Sequence, residues 1–132
     1  MNSNLVSTAV TKGIRVDVES EFIPERSDPS EPLYFFAYHI TISNEGKIPV
    51  TLISRYWHIT DGTGQVEEVK GPGVVGYQPY LEPGEAFKYS SFCPLRTDFG
   101  IMKGTYQMVY DDETGFDAEI APFQLASPQS MN

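Results

Sequence analysis

The chain has 132 residues, with 9 Lys or Arg against 18 Asp or Glu and a formal net charge of −9. That length fits one domain around one core, and so acidic a surface repels phosphate backbones and excludes nucleic acid as a general partner. Val, Ile, Thr, Tyr, Phe and Trp number 45 against 16 for Ala, Leu and Met, which speaks for strands and against a helical bundle.

Residues 1–12 hold neither a basic start nor an apolar run, so they predict a flexible leader rather than a secretory signal. From Ile14 to Phe22 apolar and polar residues alternate, the pattern of a strand with one buried and one wet face. Pro24 to Pro32 reads as a polar loop. Leu33 to Ser43 follows, with Tyr34, Phe36, Tyr38, Ile40 and Ile42 on one face and a second face that begins apolar, as in a central strand. Asn44-Glu45-Gly46-Lys47 is a turn. Ile48 to Thr60 predicts the next strand, closed by the hairpin signal Asp61-Gly62 and followed by a polar edge strand, Gln65 to Lys70. Gly71 to Tyr80 is too rich in Gly and Pro for a helix, and Pro83-Gly84 suits the centre of a type II turn.

Further strands are expected at Ala86 to Phe92, Thr105 to Tyr110 and Phe116 to Ile120, with a flexible tail at 127–132. Seven to eight strands at this spacing predict an all-β fold, an antiparallel β-sandwich of the immunoglobulin or fibronectin type III kind, over residues 13–126. No stretch approaches the ~18 apolar residues of a membrane span. The single Cys93 fits a reducing compartment. The expectation is a cytoplasmic protein that engages no membrane.

Several ordered strings are recognisable. They are Phe36-Ala37-Tyr38, Ile42-Ser43-Asn44, Arg55-Tyr56-Trp57-His58-Ile59-Thr60-Asp61-Gly62, the run from Val66 through Gly71-Pro72-Gly73-Val74-Val75-Gly76-Tyr77 to Pro79, Leu81-Glu82-Pro83-Gly84-Glu85, Tyr89-Ser90-Ser91 and Gly104-Thr105-Tyr106-Gln107-Met108. In these the sequence resembles the ApaG family. The resemblance implies a sandwich like that of immunoglobulin and fibronectin type III domains, and a protein associated with cobalt and magnesium efflux. Similar domains occur in an F-box protein and a DNA-polymerase-interacting protein, which implies protein binding. The resemblance brings no enzymatic activity with it.

The residues offer four kinds of site. Gly71, Gly73 and Gly76 fit Gly-x-Gly-x-x-Gly, a string that elsewhere cradles phosphate on backbone N–H groups. Arg55 and Lys70 are the cations nearest in sequence. The helix-breaking Tyr77-Gln78-Pro79-Tyr80 and the missing βαβ unit favour instead a bend with Val74 and Val75 packed beneath it, leaving a small phosphate or nucleotide ligand as the alternative. A metal would have to use His39, His58, Cys93 or the Asp111-Asp112-Glu113 cluster with Asp117, none of which shows ligand spacing, so no metal or cofactor is assigned and direct divalent-metal binding stands as the second alternative. Cys93 reads as structural and no catalytic set is evident. Of the aromatics, Trp57 is expected in the core, and Tyr77 and Tyr80 are candidates for an exposed protein-recognition surface. The favoured expectation is a non-catalytic protein-interaction module working through the 71–80 loop and nearby strand edges. The exposed edge at 65–70 leaves a homodimer open.

Overall fold

Period-two alternation settles into nine strands in the computed structural model, which describes residues 5–131. They are β1 (Val6–Thr11), β2 (Ile14–Phe22), β3 (Tyr34–Asn44), β4 (Val50–Asp61), β5 (Val66–Pro72), β6 (Tyr80–Leu81), β7 (Ala86–Leu95), β8 (Phe99–Tyr110) and β9 (Gly115–Ala126). One sheet runs β1-β2-β3-β7 and the other β5-β4-β8-β9, with β6 pairing β4 beyond the end of β5. Every pairing is antiparallel.

The inner faces interdigitate in the expected register. Val16, Phe36, Ile40 and Ile42 of one sheet meet Leu52, Trp57, Met102, Tyr106, Ile120 and Leu125 of the other, all buried. Each such side chain contributes about 1.5–3 kcal/mol of transfer free energy. Trp57 lies at the centre, edge-on to Tyr38 at 5.3 Å and to Phe123 at 6.0 Å between ring centroids. The buried polar Asn44 is fully used: its amide donates to Ile48 O at 2.9 Å and Leu81 O at 3.0 Å, and its oxygen accepts from Gly46 N. It thereby fixes the β3–β4 turn, as a buried amide must to offset its desolvation.

Several boundaries depart from expectation. The leader is not free from residue 6 onward, because Val6 to Thr11 pair with Glu19 to Ile14 as β1. Residues 1–4 of that expected leader lie outside the described residues. Nor is the tail free. Ser127 is buried, its N–H donates to Asp98 O at 3.0 Å, and Pro128–Met131 make a 3-10 turn. Residue 132 lies outside the described residues. β7 and β9 outrun their expected ends because Pro94 and Pro122 sit in sheet-edge strands, where a missing N–H breaks no ladder. β1 and the two-residue β6 raise the strand count to nine.

The two flanks of the sandwich differ. At one, β1 meets β9, and hydroxyls stitch the sheets together. Ser7 Oγ donates to Ala121 O at 2.9 Å, Ser20 Oγ donates to Gln124 O at 2.5 Å, and Glu119 N donates to Thr11 Oγ1 at 3.0 Å. At the other, β5 and β7 leave the seam open.

Candidate functional site

The 71–80 loop sits at the open seam and is fixed by backbone chemistry. A register shift between Leu52 and Ser54 makes Ile53 a bulge in β4. Its carbonyl accepts from Gly73 N at 2.8 Å and from Gln78 Nε2 at 2.9 Å, while Leu52 N donates to Pro79 O. Val74 and Tyr77 exchange two N–H···O bonds of 2.8 and 2.9 Å across Val75 and Gly76, whose φ values are +43° and +87°. That is a two-residue type I′ turn.

The three motif glycines each answer a local need. Gly71 lies against Arg55, where a Cβ would come within 3.0 Å of the guanidinium. Gly73 has φ +59°, and a Cβ there would meet Tyr77 O at 2.2 Å, so only glycine fits. Gly76 supplies the second positive φ of the turn.

This geometry decides what the motif can do. The N–H groups of Gly73, Val74 and Tyr77 already donate to carbonyls. Arg55 Nη1 donates to Pro72 O at 2.9 Å and Gly73 O at 3.0 Å. A phosphate cradle needs such donors free and converging. Arg55 and Lys70 border one cavity, but the carboxylates of Glu68 and Asp117 border it too, and Lys70 lies 5.8 Å from the Tyr56 ring. Of the two valines expected beneath the bend, Val74 is buried and Val75 is not, being 50% exposed. Tyr77 and Tyr80 are both exposed but diverge. Tyr77 lies 5.9 Å from the Phe87 ring at the start of β7, and the Tyr80 hydroxyl donates to Asp111 Oδ2 at 3.2 Å.

Along the seam, polar groups sit among apolar ones. The Tyr89 and Tyr106 hydroxyls share a 2.5 Å hydrogen bond, and burial is the main cause raising both phenol pKa values above the ordinary range. Burial, then Glu67, pushes the Cys93 thiol up to about 12, so it holds no thiolate at neutral pH and is a poor nucleophile. Cys93 faces the core, while His39 stands exposed on the outer face of the same sheet.

Sequence reasoning missed one constellation. His39 Nε2 lies 2.6 Å from Glu21 Oε2, and its Nδ1 lies 2.6 Å from Ser90 Oγ, across β2, β3 and β7. The connectivity is that of an acid–base–hydroxyl relay. It stands on the wet face of the sheet, with the His39 and Glu21 side chains 43% and 56% exposed. Catalytic relays work inside a water-excluded site with donors placed for the developing charge. Asp112, at the acidic turn, accepts from Thr114 N and Oγ1, and that hydroxyl is the main cause lowering its pKa. Among the described residues no three His, Cys, Asp or Glu side chains converge on a metal position, and no helix is long and apolar enough to cross a membrane.

These features define an all-β antiparallel sandwich with one stitched flank, one open flank and a rigid loop at the open one. The chain belongs to the ApaG domain family, whose family model matches residues 24–110. Protein ApaG of Anaeromyxobacter dehalogenans (strain 2CP-1) is 56% identical over 127 residues, covering 96% of this chain and 100% of that protein. Protein ApaG of Dechloromonas aromatica is 54% identical over 92% of this chain and 98% of its own length. A crystal structure described as the ApaA protein of Bordetella pertussis superposes with a TM-score of 0.86 at 48% identity, covering 92% of this chain and 99% of that one.

Proposed function

We propose that this chain is a non-catalytic module that recognises another protein through the 71–80 loop and the strand edges beside it. One observation carries the reading. Val75, Tyr77 and Tyr80 are exposed on a loop whose backbone is pinned to the β4 bulge. Apolar and aromatic surface offered by an already ordered backbone binds with little further loss of entropy. The occupied N–H groups and the engaged Arg55 weigh against the phosphate alternative. In this proposal the cobalt and magnesium link implied by the resemblance runs through the partner, because among the described residues no three His, Cys, Asp or Glu side chains converge on a metal position. The cytoplasm is the proposed compartment, on the strength of a free, buried cysteine.

The test is quantitative affinity enrichment from the native lysate, comparing wild type with a Val75→Asp/Tyr77→Ser double variant of matched thermal stability. A protein retained by wild type in stoichiometric amount and lost by the variant is the expected result. Identical recoveries, or none from either bait, would overturn the reading.

A further inference from the structure

At the open flank β7 pairs only with β3 and β5 only with β4, so both turn a free row of N–H and C=O groups to one seam. β5 is guarded, with Glu67, Glu68 and Lys70 among its seven residues. β7 carries one charge, Lys88, in ten residues. A groove runs between them. One end is a cavity of about 290 Å³ lined by Arg55, Trp57, Val69, Phe92 and Met102. The other, of about 480 Å³, is lined by Glu31, Leu33, Asp61, Val66, Leu95 and Arg96. Ile59, Glu67 and Pro94 border both, so the two lie end to end along the seam. β4 from Arg55 to Asp61 gives this groove a floor of about 20 Å, the span of six or seven extended residues.

Two observations specify the occupant. The first is charge. Glu31, Asp61 and Glu67 outnumber Arg96 in the wider cavity, and among the described residues Glu31 and Glu67 belong to none of the ion pairs. The second is the indole of Trp57, which is buried with no acceptor for its N–H. Around it the narrower cavity is lined by Val69, Phe92 and Met102, which suits apolar side chains of an occupant. A second copy of the chain is a poor occupant, since two surfaces of −9 would oppose their carboxylates.

We infer that the groove takes an extended segment of a partner protein, added as a strand to the free edge of β7. Apolar side chains of that segment enter the cavity over Trp57, and Lys or Arg side chains stand opposite Glu31 and Glu67. The inference rests on the binding-module reading and names the partner's chemistry. Its backbone bonds to β7 would supply affinity, and the alternating side chains would supply specificity.

Trp57 is the one tryptophan of the chain, so its emission reports occupancy directly. The probes are Trp-free ten-residue peptides in which Lys alternates with Val, Leu or Phe. Controls replace Lys by Glu, replace the apolar residues by Gly, or N-methylate every second amide. Saturable change in Trp57 emission with the apolar–basic peptides is expected, with binding about tenfold weaker for each control. The Glu31→Lys/Glu67→Lys variant should weaken binding similarly. Glu19→Lys/Glu119→Lys, an equal charge change at the stitched flank, should leave it unaltered. No emission change at millimolar peptide, equal binding of the Glu peptides, or tolerance of N-methylation overturns the inference. If these arms fail while a lysate partner still depends on Val75 and Tyr77, the groove assignment falls and the module reading stands.

Discussion

At the scale of single residues, the open flank is built on conformational exceptions. Val75 holds φ +43° in the type I′ turn, a region that costs a β-branched residue about 1–2 kcal/mol. Asn or Gly is the usual choice there. Val75→Asn should therefore stabilise the fold by about 1 kcal/mol, read as a higher urea midpoint with unchanged m-value. A lower midpoint would show that the valine side chain gains more from packing than the turn loses. If the module reading holds, the same variant should recover less partner. Gly73, Gly71 and Arg55 were legible in sequence only as a motif. That Arg55 serves the loop's carbonyls depends on side-chain direction, which spacing along the chain does not carry.

At the scale of elements, period-two alternation located β2, β3 and β4 closely and the start of β7, because apolar residues recur on a core-facing side of each, whereas β5 followed from the hairpin signal Asp61-Gly62. It failed at β1, where Val6 and Val10 point outward and the inward residues are Ser7, Ala9 and Thr11. An inverted pattern of this kind reads as a leader. Its purpose is visible only beside β9, whose backbone the Ser7 and Thr11 hydroxyls meet. Deleting residues 1–11 should thus lower the unfolding free energy by about 2–4 kcal/mol, from several hydrogen bonds at about 1 kcal/mol each plus a newly bare β2 edge. An unchanged urea midpoint would restore the flexible leader. The Glu21–His39–Ser90 relay escaped notice for a related reason: its members are 18 and 51 residues apart, and only strand order makes them neighbours.

At the scale of the whole molecule, the ionisable groups buried in the core set an alkaline limit. Burial raises the pKa of Cys93 to about 12 and raises those of Tyr38, Tyr89 and Tyr106. In the unfolded chain these groups release protons first, from about pH 8.5 for thiols and about 10 for phenols. Above that range the unfolded state binds fewer protons than the native one, so stability is intact below about pH 8 and falls as pH rises. Each group that has ionised only in the unfolded chain removes about 1.4 kcal/mol per pH unit. The urea midpoint should drop clearly between pH 8 and pH 10.5, and less steeply in Cys93→Val. Equal midpoints at the two pH values would contradict the burial of these groups.

The sequence by itself determined the strand-rich single sandwich, the inward Trp57 and the acidic surface, because alternation and composition are local properties that hydrophobic burial converts directly into faces. Only the tertiary structure decided that the flanks are unequal, one stitched by hydroxyls and the other open over an unpartnered indole. Which edges meet is set by the pairing of strands distant in the chain, and no local pattern records that pairing.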